Sequence, residues 1–539
     1  MSHKRGRAPR RASLRFTWTS LALLAVSLAE VAYGRGEAAS SCKALASLTL
    51  PDSQITNVTS VPAEMAQAQP GLPPFENPTA FCRVEATLRP TTDSEIRVEV
   101  WLPTEEQWNG KFEGVGNVGL AGTLFYSGMI PGLLRGYAVA VTDTGHDNLH
   151  GTGAFALGHA EKVSDYGFRA THLTASFGKA IVERYYRRSP THAYFSGCSQ
   201  GGQEAMMEVQ RFPMDYDGVI SGDPAMYQTH HEVGAHLWIP LTLAATEGNS
   251  IPMEKAELVG RAVNEACDAL DGVRDGVLED PRRCHFQPAT LQCKGPDAPD
   301  CLTASQVRAI EKIWEGPREV LGAEYYPGLE RGAEADTWKN FVYVPASGVN
   351  SHDKLGLPFF RYFVFSDPNW EAQSFNFLTD PTLVDGKLAL ALDAMNPDLG
   401  PFKRRGGKLI QYHGFNDADV PPRVSINYYE SVAKLLGGPD QVDSFYRLFM
   451  VPGMGHCTGG PGANSFDPLS ALEQWVERGT PPEKMIATKY TNDNPKLSVV
   501  RTHPLCPYPQ TAHYNGTGNA EDAANFVCAL DGGAYADRR

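Results

Sequence analysis

Residues Gly197-Cys198-Ser199-Gln200-Gly201-Gly202 contain the pattern G-x-S-x-G, which presents a serine hydroxyl on a sharp turn between a strand and a helix. Far downstream, Gly453-Met454-Gly455-His456-Cys457 offers a histidine in a glycine-rich loop. Together they suggest nucleophilic acyl transfer, with Ser199 as nucleophile and His456 as base. In a chain with 52 glycines the serine pattern alone arises by chance. What lifts it is that nucleophile and base each carry an adjacent cysteine. If Ser199 and His456 meet at roughly 2.6–3.2 Å, Cys198 and Cys457 come near disulfide range, where alpha carbons lie about 4.4–6.8 Å apart.

A third member should lie between them, because α/β-hydrolases run nucleophile, acid, histidine along the chain. Gly407 to His413 reads as a strand, and the loop Gly414-Phe415-Asn416-Asp417-Ala418-Asp419 follows it. Asp417 and Asp419 both qualify. Asp417 would orient the His456 ring and stabilise its imidazolium, while Asp419 reads more simply as an exposed turn residue. His413, at a strand end, reads as a structural histidine. The oxyanion needs two preset backbone donors. The Gln200 amide is one, and the glycine-rich stretch Gly114 to Gly119, with Gly116 at its centre, is the candidate for the other.

These groups need elements to hold them. His192 to Ser196 reads as a strand and Gly202 to Arg211 as a helix, the flanks such a serine requires. Strands at Ile96 to Leu102, Tyr137 to Thr142 and Gly218 to Ser221 alternate with a helix from about Ala170 to Tyr186. Alternation resumes with Lys408 to Tyr412, Val424 to Leu436, Phe445 to Val451 and Leu469 to Arg478. This pattern predicts an α/β fold with a mostly parallel sheet. Between about 226 and 398 it lapses into a stretch rich in tryptophan, proline and tyrosine. Since candidate catalytic residues lie on both sides of that stretch, it is expected to be an insertion, with the core formed by 39–225 and 399–539.

Six basic residues precede an apolar run from about Phe16 to Leu28, with small residues near Gly34 to Ser40. The run is short of the ~20 residues a spanning helix needs, so 1–38 reads as a cleaved export signal. Its loss, with seven basic and two acidic residues, moves the formal charge from -14 to about -19. So acidic a protein suits neither nucleic acid nor an anionic membrane, and no protein partner is implied. Ten cysteines in an exported chain read as disulfides. Proximity suggests Cys42–Cys82, Cys267–Cys284, Cys293–Cys301 and Cys506–Cys528, leaving Cys198–Cys457 as the long-range pair. Within the insertion, Cys267-Asp268-Ala269-Leu270-Asp271-Gly272-Val273-Arg274-Asp275-Gly276-Val277 gathers three aspartates and two glycines. Carboxylates so spaced suit a calcium ion; a solvated acidic turn is the other reading.

The motifs G-C-S-x-G-G, H-G-x-x-D, G-x-x-H-C and C-D-x-x-D-G-x-x-D-G, with Asp367-Pro368-Asn369-Trp370, resemble the tannase and feruloyl esterase family of α/β-hydrolases. That family also contains mono(2-hydroxyethyl) terephthalate hydrolase. The resemblance covers nearly the whole mature chain and implies Ser199, Asp417 and His456 as the triad, with Cys198–Cys457 bridged. It favours Asp417 over Asp419 and implies a lid domain over 226–398. It also implies a structural calcium ion held by the Asp268, Asp271 and Asp275 side chains and the Val273 and Val277 carbonyls. The five cysteine pairs agree with the family's scheme. Phe415-Asn416 replaces the family's tryptophan–alanine before the acid, which bears on fine substrate preference. Expected, then, is a secreted or periplasmic serine esterase acting on small aromatic esters, feruloyl or galloyl first and terephthalate monoesters third. Phe415, Trp370, Phe375 and Phe377 are candidates for the acyl pocket, though each reads equally as lid core, and core is the favoured reading for most of them. A secreted serine peptidase and an inactive hydrolase-fold binding protein are the rival readings.

Overall fold

The computed structural model describes residues 41–69, 72–76, 79–147, 152–245, 250–319, 321–342 and 351–530. The expected export signal, 1–38, lies outside them. Nine strands make one sheet: β1 (Ser53–Val61), β2 (Phe81–Leu88), β3 (Ile96–Pro103), β4 (Lys111–Val115), β5 (Ala138–Thr142), β6 (His192–Cys198), β7 (Gly218–Gly222), β8 (Lys408–Gly414) and β9 (Tyr446–Val451). Their spatial order is β1-β2-β3-β5-β4-β6-β7-β8-β9. The first four in that order pair antiparallel and the rest parallel. Every residue of β5 and β7 is buried, as befits strands covered on both faces. Edge strand β1 instead alternates partly buried and exposed positions over much of its length.

Helices cover both faces. α1 (Ala170–Tyr186), α2 (Gln200–Arg211) and α6 (Arg423–Leu436) bury Phe177, Ile181, Met206, Met207, Tyr428 and Val432 in one core cluster. On the other face, α7 (Pro468–Arg478) sets Leu472 and Trp475 against Tyr194, Ile220 and Ile410. This is the expected α/β sandwich. Strands β1 and β2 precede the first strand expected from the sequence, Ile96 to Leu102. A C-terminal pair of hairpins, Met485–Tyr490 with Val499–Leu505 and Thr511–Tyr514 with Phe526–Ala529, was not anticipated.

Between β7 and β8 the described residues contribute no strand to the sheet. They form the largely helical insertion expected as a lid, with two core clusters, one of them shared with Leu120, Val163 and Tyr166 of the preceding core segment. One packs α3 (Met253–Cys267) against α4 (Ala304–Glu315) through Val259, Val263, Ile310 and Ile313. The start of α4 is fixed by reciprocal Thr303 and Gln306 capping bonds. The other core sets Phe359, Phe360, Phe363, Trp370 and Phe375 against α5 (Asp380–Leu392). Lid and sheet belong to one contact unit, 39–539. No helix among the described residues is long and apolar enough to cross a membrane.

Candidate active site

Ser199 follows β6 and begins α2 with φ +63° and ψ -120°, a conformation that costs a non-glycine residue about 1–3 kcal/mol. Its backbone is held from both sides: its N–H donates to Gly222 O at 3.0 Å, and its carbonyl accepts from Gln203 N–H at 3.0 Å. The flanking glycines have a steric cause. A Cβ on Gly197 would stand 2.2 Å from Gly201 O, and one on Gly201 would stand 2.8 Å from Asn117 O. The hydroxyl makes no hydrogen bond among the described residues.

Asp417 follows β8 and His456 follows β9, so all three groups stand at the carboxyl ends of parallel strands, where open α/β sheets place their sites. His456 Nδ1 donates to Asp417 Oδ2 at 2.7 Å, and Asp417 is fully buried. The other Asp417 oxygen accepts the N–H groups of Asp419 at 2.8 Å and Val420 at 3.0 Å. Burial alone would raise the Asp417 pKa, but His456 and His413 hold it down to about 2. Burial likewise opposes a charge on His456. Asp417, with Asp419 and Asp223, outweighs it and lifts the ring above the ordinary histidine range. Cys198 and Cys457 form a disulfide with alpha carbons 6.1 Å apart, tying the serine turn to the histidine loop. The other four expected pairs also form.

The structure corrects three expectations. Gly116 does not supply an oxyanion donor, because its N–H extends the β4–β6 ladder to Ser196 O at 2.9 Å. The next amide, Asn117, is also engaged: it donates to Glu204 Oε2 at 3.1 Å. Gln200, at the first position of α2, keeps an amide with no partner within its own helix. Second, Asp419 is buried, not an exposed turn residue. Its Oδ1 accepts from His236 Nε2 at 3.0 Å and its Oδ2 lies 3.6 Å from His456 Nε2. Third, Phe415, Trp370 and Phe375, offered as acyl-pocket candidates, are buried in core clusters. Trp370 stacks on Phe365 at 4.8 Å, Phe375 packs on the half-buried Phe377 at 4.9 Å, and Phe377 meets Trp238 at 5.4 Å. His413 is structural as expected, bonded to Ser425 Oγ at 2.7 Å and Val420 O at 2.9 Å.

Several contributors left no motif. Glu204, one turn into α2, is fully buried, and burial raises its carboxyl to about 8, so it stays protonated while bracing the loop after β4. Asp223, in the Gly222-Asp223-Pro224 stop of β7, accepts the Gly414 N–H at 2.9 Å and braces the acid loop. From the lid, Thr337 Oγ1 donates to Asn416 O at 2.6 Å, and Asn416 Nδ2 donates to Gly332 O at 2.7 Å. Phe341 sets its ring edge-on to His456, centroids 5.7 Å apart, and so brings an aromatic from the insertion to the base.

In the lid loop, Asp268 accepts the amides of Asp275 and Gly276, Asp271 accepts Val273 N–H at 2.9 Å, and Asp275 accepts Val277 N–H at 3.1 Å. Asp271, Val273, Asp275 and Val277, joined by Glu279, line a space of about 10 Å³, roughly the room for one ion or water. Burial raises Asp271 to about 6, with the Asp275, Glu279 and Asp268 carboxylates adding to the effect. Arg501 and His503 line the same space, so oxygen donors of the kind a hard cation takes share it with two basic side chains. Arg501 Nη1, from the C-terminal hairpin, meets Asp275 Oδ2 at 3.0 Å.

Residues 82–529 match the family described as tannase and feruloyl esterase. The chain is 40% identical over 542 aligned positions to an uncharacterised esterase of Xanthomonas campestris pv. campestris, covering 93% of each. It is 31% identical to a probable feruloyl esterase B-1 of Aspergillus fumigatus, over 83% of this chain and 85% of that one. The solved structure of feruloyl esterase B from Aspergillus oryzae superposes with a TM-score of 0.83 at 28% identity, over 90% of this chain and 99% of the other.

Proposed function

The chain belongs to the tannase and feruloyl esterase family, and from that premise we propose that it is an exported serine esterase that hydrolyses carboxylic esters of aromatic acids. The observation that carries the reading is Ser199 on its strained turn, disulfide-linked to the loop of a histidine whose Nδ1 is bonded to buried Asp417. Ser199 Oγ attacks the ester carbonyl as its proton passes to His456 Nε2. Asp417 keeps the ring oriented and stabilises the imidazolium. The oxyanion rests on the Gln200 amide and on a second amide beyond Asn117 in the same loop, Val118 being next. His456 then hands its proton to the departing alcohol. Water, activated by the same histidine, releases the acid from the acyl-enzyme. Among the described residues Ser199 Oγ makes no hydrogen bond, and such contacts tighten when substrate arrives.

Relatives named as feruloyl esterases favour hydroxycinnamoyl esters as substrates; galloyl esters and terephthalate monoesters follow. Phe341 is the side chain best placed to meet the acyl ring. Asp268, Asp271 and Asp275 with the carbonyls of Val273 and Val277 would hold calcium, which would brace the lid and take no part in ester chemistry. Five disulfides agree with export to an oxidising compartment, periplasmic or extracellular.

A hydrolysis panel of methyl ferulate, methyl gallate, chlorogenate and mono(2-hydroxyethyl) terephthalate tests this. Turnover of the ferulate esters, reduced in kcat by about 10⁶ in Ser199→Ala, is the expected result. Amide cleavage without preference for aromatic esters would point to a peptidase. Failure of a fluorophosphonate to label Ser199 would point to an inactive scaffold.

A further inference from the structure

Asp417 alone suffices to orient His456, yet a second carboxylate faces the ring from its other edge. Asp419 Oδ2 lies 3.6 Å from His456 Nε2, its Oδ1 accepts from His236 Nε2 at 3.0 Å, and its carbonyl accepts from His231 Nε2 at 3.0 Å. His236 belongs to the lid, in the π-helical turn Glu232–Leu237, and its Nδ1 donates to Glu232 Oε2 at 2.7 Å. Glu232, His236 and Asp419 are each nearly excluded from solvent. Both bonds of His236 run to carboxylate oxygens, and only a doubly protonated ring donates at both nitrogens. Burial opposes that charge, but Glu232 and Asp419 lift the His236 pKa to about 10. His236 is therefore buried between two carboxyl groups, one of which also faces the catalytic base.

We infer that Asp419 and His236 are positioning residues for the esterase reaction, through which the lid sets how readily His456 takes and returns its proton. The inference rests on the reading of His456 as base. During acylation the Ser199 O–H bond breaks and an N–H bond forms at His456 Nε2. The resulting imidazolium then faces Asp417 at one nitrogen and Asp419 near the other. Asp419 favours that charged state. His236 draws on the same carboxylate, and so weakens the hold of Asp419 on a protonated His456. A protonated ring has no lone pair for Ser199.

The remaining neighbours do not change the sign. Asp417, Asp223 and His413 face His456 from the core, and Phe341 meets it from the lid with an apolar edge. Beyond Glu232 and Asp419, His236 has His231 beside it at 4.4 Å between ring centroids, and Tyr326 backs His231 at 6.1 Å. Burial, reinforced by the neighbouring His236, pushes the His231 pKa down.

The test is the pH dependence of the rate at which a fluorophosphonate labels Ser199 in the whole enzyme, because labelling needs the base but not the correct ester. In the wild type the rate should rise with pH through a midpoint above the ordinary histidine value of about 6.5. Asp419→Asn should lower that midpoint by about one pH unit, and His236→Gln should raise it by about as much. Opposed shifts are the signature, since a general loosening of the site slows labelling without moving midpoints in opposite directions. Unmoved midpoints, or shifts of one sign, overturn the inference. Should either variant fail to fold, the downfield proton resonance of the His456–Asp417 bond in the wild type reports the same ionisation. A midpoint there at or below about 6.5 overturns the inference too. Loss of all labelling in the wild type, or labelling that survives Ser199→Ala, would instead sink the triad itself.

Discussion

In the sheet, the reacting groups stand where the backbone puts them. Ser199, Asp417 and His456 follow three parallel strands, glycines at 197 and 201 let backbones touch, and a disulfide joins two of the loops. The lid reaches the same place with side chains: Phe341 against His456, His236 through Asp419, and Thr337 on the Asn416 carbonyl. The difference has a physical root. A group placed by the backbone needs particular residues beside it in sequence, and these read as motifs. A side chain that reaches across from another element needs only length and chemistry, and leaves no local pattern.

The sharpest way to break this contrast is through the disulfides. Cys198–Cys457 spans 259 residues and fixes the catalytic loops, whereas Cys293–Cys301 spans 8 and closes a lid turn. By chain entropy, replacing the first pair by alanine should cost roughly 5 kcal/mol and the second roughly half that. Urea unfolding of the two double variants measures this, and kcat should fall only with the first. Equal losses would deny the core bridge its special place. Next come the lid aromatics. Trp370→Ala should cost about 3–5 kcal/mol of stability while the folded enzyme keeps its kcat/KM. Phe341→Ala should hardly move Tm, but should lower kcat/KM for aromatic esters by about five- to tenfold. Reversed outcomes would make Trp370 the pocket wall and Phe341 filler. Chelation tests the lid loop itself. Chelating the calcium proposed for the lid loop should lower Tm by several degrees, on the scale of about 3 kcal/mol for a site held at a hundredfold excess over Kd. Turnover of a small ester well below Tm should persist, and an unmoved Tm would leave Asp268, Asp271 and Asp275 as a plain acidic turn.

Legibility in the sequence followed the same division. The strands at 96, 138, 192, 218, 408 and 446 and the helices at 170, 200, 423 and 468 announce themselves by apolar period and glycine stops. The early antiparallel strand β1 does not, because an edge exposed on one side carries a weaker pattern. Gly116 was the natural choice for the oxyanion loop, but composition does not say which amides a ladder consumes. Asp419 looked like a turn residue because its partner, His236, stands 183 positions earlier in the chain. Trp370 and Phe375 carried the right chemistry for an acyl pocket, and only packing shows that they face one another.

The placement of the lid also bears on how the protein comes to be made. Cys198 leaves the ribosome before Cys267, Cys284, Cys293 and Cys301, and all four precede Cys457. An oxidase that joins cysteines in order of appearance would therefore marry Cys198 to the wrong thiol. Reaching the native pairing calls for thiol–disulfide exchange, in which a free thiolate attacks the misplaced bond. A host with a disulfide isomerase in its export pathway should give far more active enzyme than one that only oxidises.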